Sequence, residues 1–369
     1  MNTLTSRFSR WMAAALLGFS AVASAQTYPS APIKLVVAFA PGTGSDILGR
    51  ILAVKLSEQL GVPIAVENRA GAGGTIGTQS VVKAAPDGYT LTLGTNATLI
   101  TSPLLSSTQP YRVDKDLLPI GGVARTPMVV VTSMQADAPK SLQELIARGR
   151  DKASSFSSAG VGTIGHLTSE VLVKKLNLAS NHVPYKGSGQ SLTDVARSEI
   201  LFSTDTPPAV LSLIRGGKLR PLVVTGEKRL QVLPDVPTLQ ESGLPGVNLG
   251  VWWALMAPVG TPGPVIERLG AELAKVVAQP DMRKKMQEME LEPMPLTPCG
   301  RPLRSIQVWR SVPAVAWLRA ALAVTRCLVD RRSGGRARSG LSTQGWHQGG
   351  SARHGSGARS CRRFAARTW

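Results

Sequence analysis

The sequence predicts an α/β protein folded as two lobes. Short apolar runs of strand length alternate with segments of helical period through residues 26–298, and the alternation occurs in two successive sets. Apolar residues make up 43% of the 369, enough for two cores, which excludes wholesale disorder.

The first set begins at residues 33–39 (IKLVVAF), an apolar run expected for a strand covered on both faces. A Gly-rich turn, PGTGSD at 41–46, leads into Ile47, Leu48, Ile51, Leu52, Leu56 and Leu60 at helical spacing, and Gly61 ends the helix. Residues 63–66 read as a second strand, 68–74 as a loop, 75–85 as a helix and 89–93 as a third strand. The second set has strands at 128–131, 182–184, 200–203 and 222–225, with a further strand candidate at 154–158 that leads into a loop. A capping box opens a helix at Ser141 with Glu144, and another helix runs to about Leu176. Residues 251–256 (VWWALM) are a strand, followed by helices at 264–278 and 282–289. Such alternation argues for mainly parallel sheets.

The net charge of +19 suggests nucleic acid or an acidic surface as partner. Its distribution points elsewhere. Residues 299–369 carry 14 Arg, no Lys and one acid, Asp330, a charge of +13; the body carries +4. All three Cys (Cys299, Cys327, Cys361) lie in that tail, so neither a disulfide scaffold nor a zinc site is indicated. At the other end, Arg7 and Arg10 precede the apolar run 11–22 and then Ala23-Ser24-Ala25, the pattern of a secretory signal peptide cleaved after Ala25. The run is too short to span a bilayer, which takes ~20 apolar residues. The product is therefore expected outside the cytoplasm, in the periplasm of a two-membrane cell.

Three loops follow strand carboxyl ends: PGTGSD (41–46), GTNAT (94–98) and AGVGTIGH (159–166). Ligands of open α/β sheets bind there, and helix N-termini offer unpaired N–H groups to an anion. Ser45, Thr43 and Thr163 add hydroxyl donors. Ordinary strand-to-helix turns have similar composition, so the signal lies in the three together. Enzyme motifs are missing: no G-x-S-x-G, no H-E-x-x-H and no G-x-x-x-x-G-K-[ST]. Gly71–Gly77 imitates a dinucleotide fingerprint, but Ile76 stands where the third Gly belongs. His166 and His182 have no evident carboxylate partner, Asp46 suits a first helical turn, and Asp205 either faces the cleft or caps a turn. Of the adjacent Trp252 and Trp253, one is expected in the core and the other at a cleft or interface.

These motifs together resemble the Bug (TctC-like) extracytoplasmic solute-binding receptors of tripartite tricarboxylate transport systems. The resemblance is carried by YPSAPIKLVVAFAPGTGSD (28–46), ENRAGAGGTIGTQSVVKAAPDGYTL (67–91), GVGTIGHLTSE (160–170), HVPYKGSG (182–189), IRGGKLRPLVVTGEKRLQVLPDVPTLQESGLPG (214–246) and APVGTPGPVIERL (257–269). It implies a bilobal, Venus-flytrap architecture of the type II-like periplasmic-binding-protein class, with lobe 1 at about 26–125 plus 245–298 and lobe 2 at about 126–244. It implies a monomer that binds a small carboxylate and serves membrane permease subunits or a sensor, with no cofactor, metal, catalytic residue or nucleic acid. Carried onto this chain, the solute contacts are Phe39, Gly42, Thr43, Gly44, Ser45 and Asp46; Thr95, Asn96, Ala97 and Thr98; Gly162, Thr163, Ile164, Gly165 and His166; with Asp205 added from the cleft-facing alternative.

Three departures stand out. Thr43 replaces a usual Gly, Ala196-Arg197-Ser198-Glu199 replaces a customary Gly-Gly-Gln, and the acidic C-terminal helix of the family gives way after Pro298 to the Arg-rich tail. That tail has the composition of a GC-rich gene read out of frame, and is expected to be disordered. The rival functions are a secreted enzyme on the same scaffold and nucleic-acid binding through the tail.

Overall fold

The computed structural model describes residues 28–105 and 110–294. The export segment and the Arg-rich tail, with the expectations attached to them, lie outside the described residues.

Strand β1 (Ile33–Val37) is buried apart from Lys34, whose ammonium meets Glu67 at 3.2 Å. Helix α1 (Gly44–Leu60) places Leu48, Leu52, Leu56 and Leu60 on its buried face. It starts three residues before the apolar period because Thr43 caps it, and it ends at Gly61 in the left-handed region, φ 72°. β2 (Ile64–Asn68), α2 (Thr75–Val82) and β3 (Thr90–Thr95) complete a parallel β2-β1-β3 unit. The chain then runs through β4 (Leu117–Pro127) directly into β5 (Val129–Ser133).

The second set follows the same logic. α3 (Leu142–Asp151), capped by Ser141, precedes β6 (Ser154–Ser158), and α4 (Ile164–Leu176) precedes β7 (Ser180–Pro184). α5 (Ser188–Ala196), β8 (Phe202–Asp205), α6 (Pro207–Arg215) and β9 (Leu219–Val224) complete it. The chain returns through β10 (Gly250–Pro258), α7 (Gly263–Ala278), α8 (Pro280–Glu288) and the short β11 (Glu292–Pro293).

Two sheets result, one ordered β11-β4-β10-β3-β1-β2 and the other β7-β6-β8-β5-β9. They are mixed, which corrects the expectation of mainly parallel sheets. The parallel pairs are confined to β1 with β2 and β3, and β6 with β7 and β8; β4, β5, β9, β10 and β11 pair antiparallel. Only the parallel pairs need helical crossovers, and the antiparallel strands carry the chain between sheets. β4 has no counterpart in the sequence reading, because two Pro and a Gly-Gly pair mask it. Its pairing with β10 runs from Leu117 to Pro127 with two register shifts, which turn the extra residues Ile120 and Val123 fully into the core.

Each lobe buries its own core. In the first, Leu35, Leu48, Leu52, Leu93, Trp253, Leu255, Leu269 and Val276 pack between the sheet and helices α1 and α7. In the second, strand alternation splits β5: Val130 joins Phe156, Leu172 and Phe202, while Val129 and Val131 join Leu192, Val195 and Val210. The two connections between lobes are tied together at Thr225. Its hydroxyl accepts from Met128 N–H at 2.8 Å and donates to Leu249 O, and its own N–H donates to Met128 O at 3.0 Å. Segment 196–199, where a Gly pair is customary in similar proteins, still closes the turn after α5. Ser198 does so with φ 64° and a buried hydroxyl lacking a partner. An L side chain there costs ~1–2 kcal/mol. Ser198→Gly is therefore expected to raise stability by about 1 kcal/mol in urea unfolding, with no gain expected if the turn were unstrained.

Candidate functional site

Two capping turns with the same bond pattern, one per lobe, build the floor and roof of a cavity. In the first, Gly42 takes φ 81° and Thr43 is extended (φ −75°, ψ 158°); the Thr43 hydroxyl accepts from Asp46 N–H at 3.3 Å and donates to Ala40 O at 3.0 Å. In the second, Gly162 takes φ 82° and Thr163 is extended (φ −68°, ψ 158°); its hydroxyl accepts from His166 N–H at 3.4 Å and donates to Gly160 O at 2.8 Å. Each turn is locked by a side chain at the third helical position. Asp46 Oδ2 accepts from Gly42 N–H at 3.0 Å, and His166 Nδ1 accepts from Gly162 N–H at 3.2 Å. Thr43, a departure from the family pattern, is thus the helix cap, and only left-handed Gly before it lets the chain turn so tightly.

These caps satisfy the third N–H of each helix. The N–H groups of Gly44, Ser45, Ile164 and Gly165 are those that helix geometry leaves over. A third helix start, Thr206 before Pro207-Pro208, and the start of α5 at Ser188 reach the same space. Among the described residues, its lining holds no Lys, Arg or His, and Asp205 is the one charged group. Four helix N-termini and several hydroxyls therefore supply the positive potential, an arrangement suited to a small anion.

Of the residues selected from sequence, Phe39, Thr43, Gly44, Ser45, Thr95, Asn96, Ala97, Thr163, Ile164, Gly165 and Asp205 line this cavity. Gly42, Asp46, Thr98, Gly162 and His166 are not among the lining residues. Asp46 is occupied by Gly42, by Asn68 Nδ2 at 2.8 Å and by Arg50 at 2.9 Å. Burial pushes its pKa up, but these bonds outweigh burial and hold it below the ordinary carboxylate value. Thr98 braces its own turn, accepting from Thr95 N–H at 3.0 Å, while its carbonyl accepts from the Tyr111 hydroxyl at 2.6 Å. Asp205 does both things considered for it. Oδ1 accepts from Thr206 N–H at 2.7 Å, and Oδ2 is buried without a partner. Burial pushes its carboxyl up, against the pull of Ser188 and Thr206.

The lining adds Met128, Ala159, Ser188, Thr204, Thr206, Val251 and Trp253. Trp253 is fully buried, and its indole N–H donates to the Ser45 hydroxyl at 2.8 Å, so it serves core and cavity at once. Thr206 was legible: Thr before Pro-Pro is a helix start. Ser188 and Met128 carry no local signal and come in through chain crossings.

The lobes touch at glycines. A methyl group on Gly44 would lie 2.4 Å from Thr206 Oγ1, one on Gly73 2.2 Å from Val161 O, and one on Gly187 2.6 Å from Ala40 Cβ.

Behind the second turn, His166 and His182 stack with ring centroids 3.9 Å apart, and Phe156 lies 5.1 Å from His182. His182 Nε2 bonds the Ser158 hydroxyl at 2.7 Å, and that hydroxyl donates to Gly160 O and accepts from Gly160 N–H. The bonds are satisfied when His182 carries its proton on Nε2. Burial first, then the neighbouring His166, lower the His182 pKa from 6.5 to about 4. Between these values the unfolded chain binds a proton that the folded chain does not, so stability is full above pH 6.5 and falls as pH drops towards 4. Urea unfolding across that window is expected to show this slope, and His182→Gln to flatten it; an unchanged slope would refute the assignment.

The family model for the tripartite tricarboxylate transporter family receptor, TctC, matches residues 48–298. BugT of Bordetella pertussis is 39% identical over 262 residues, covering 70% of this chain and 80% of its own length. The solved periplasmic binding protein BugD is 34% identical with a TM-score of 0.74, over 80% of this chain and 99% of its own. The R. palustris protein Rpa4515, solved with adipate, is 30% identical with a TM-score of 0.74, over 80% and 97%. BugD is a periplasmic binding protein, and its TM-score shows that it shares the α/β fold described here. The chain belongs to the TctC family of tripartite tricarboxylate transporter receptors.

Proposed function

We propose that this protein is a periplasmic receptor that captures a small carboxylated solute between its lobes and delivers it, as a monomer, to the permease subunits of a tripartite transporter. The observation that carries the reading is the convergence of helix N-termini from both lobes on one cavity that, among the described residues, is lined by no cationic side chain. A carboxylate is well served by backbone N–H groups and hydroxyls, and needs neither metal nor covalent chemistry. The adipate held by Rpa4515 supports the same ligand class. In this reading lobe 1 comprises about 26–125 and 245–298, lobe 2 about 126–244, and the export segment is removed after Ala25. Residues 299–369 are read as out-of-frame translation, in keeping with a family match that ends at 298.

Thermal unfolding of the purified chain against a panel of mono- and dicarboxylates tests the ligand class. At a hundredfold excess over Kd the bound solute stabilises by about 2.7 kcal/mol, a rise of roughly 5 °C or more. A folded sample that shifts with no carboxylate would overturn the reading. Gly44→Ala is expected to keep the ligand-free midpoint, since Ala favours the helix. Its methyl group overpacks the closed interface by ~1–3 kcal/mol, so affinity in calorimetry drops about 10- to 100-fold.

A further inference from the structure

Three buried polar side chains around the cavity keep an atom without a well-formed hydrogen bond. Asn96, Ser188 and Asp205 are 4%, 1% and 6% exposed and line the same space. Asn96 Oδ1, Ser188 Oγ and Asp205 Oδ2 make no hydrogen bond of good geometry, although the Ser188 hydroxyl lies near enough to the Asp205 carboxyl to pull its pKa down. The Asn96 amide is oriented by its Nδ2, which donates to Gly250 O at 2.8 Å, so Oδ1 is a fixed acceptor. Asp205 Oδ1 is already taken by Thr206 N–H at 2.7 Å and the Thr206 hydroxyl at 3.3 Å, which leaves Oδ2 as the open lone-pair face. Buried polar atoms are nearly always paired in folded proteins, so the open acceptors of Asn96 and Asp205 around one cavity mark what its occupant must supply.

An ionised carboxylate supplies only acceptors. It suits the helix N-termini of α1 and α4, but it cannot satisfy Asn96 Oδ1. Building on the carboxylate reading above, we infer that the solute also carries a hydrogen-bond donor, an ammonium or a hydroxyl, which sits against Asn96 Oδ1 and Asp205 Oδ2 with Ser188 beside it. The placement divides the work between lobes. Asn96 follows β3 of the first sheet, whereas Asp205 ends β8 and Ser188 opens α5 of the second. A donor bonded to both sides therefore ties the lobes together, while an unsubstituted acid leaves buried acceptors unpaired on closure. Sites built around such a bond discriminate strongly against analogues that lack the donor.

Isothermal titration calorimetry of the full chain at pH 7 tests this with matched series that differ in one substituent. The series are propanoate, lactate and alanine; succinate, malate and aspartate; and glutarate, 2-hydroxyglutarate and glutamate. Within the series that binds, a substituted member is expected to bind about 100-fold or more tightly than the unsubstituted acid. The ammonium and hydroxyl arms identify which donor is used. Asp205→Asn is expected to shrink that ratio about tenfold or more, because the carboxyl acceptor that meets the donor is replaced by a weaker neutral amide. If the unsubstituted acid binds within tenfold of its substituted counterparts, the donor inference fails and the receptor reading stands. If no acid binds the folded chain, both fail. A ratio untouched by Asp205→Asn overturns the assignment to Asp205. The wild-type series decides the donor question even if the variant does not fold.

Discussion

The structure depends on how a helix begins. Gly42-Thr43 and Gly162-Thr163 make the same turn, with a left-handed glycine, an extended threonine cap and a locking side chain at the third helical residue. Each turn spends its side chains on the third N–H and the loop, so the first N–H groups of α1 and α4 are left to face the cavity. The locks differ in chemistry. Asp46 is a carboxylate held charged by Arg50, whereas His166 is an imidazole that accepts from Gly162 through Nδ1. In the receptor reading proposed above, backbone N–H groups take the place of Lys or Arg, and an anion needs no long, flexible side chain to order.

That economy requires the lobes to approach closely, and small residues set the limit. Gly44, Gly73 and Gly187 each meet the opposite lobe where a methyl group would collide. The connections that permit the approach are two strands tied at Thr225, which bonds Met128 on one crossing and Leu249 on the other. Core and cavity share parts as well. Trp253 fills the first core and holds the Ser45 hydroxyl, so the packing of β10 bears directly on the ligand turn.

Much of the fold was legible because local physics agreed with the tertiary outcome. The leucine face of α1, the glycine that ends it and the capping box at Ser141 each read correctly from spacing alone. β4 did not. Its prolines and glycines contradict strand propensity, and only nine residues of pairing with β10, more than 120 positions away, make it a strand. The sheets were expected mainly parallel because alternation of strand and helix reports crossovers, and it is silent about strands that pass between lobes. Segment 196–199 carries no glycine, yet it turns at Ser198, because the Ser198 N–H donates to Val195 O and the Glu199 N–H to Asp194 O at the end of α5.

By itself, the sequence determined the two-lobed α/β class, the three glycine-rich turns and the separation of a mildly basic body from an Arg-rich tail, because these rest on periodicity, cap chemistry and composition, which are local. Only the tertiary structure decided which residues of those turns face the cavity and which lock the turn from behind. It also brought in Ser188, Thr206 and Trp253, and it left the lone pairs of Asn96 and Asp205 unpaired in a common space. The reason is geometric: a side chain's direction and its partners depend on contacts made across both lobes, and sequence spacing does not encode them.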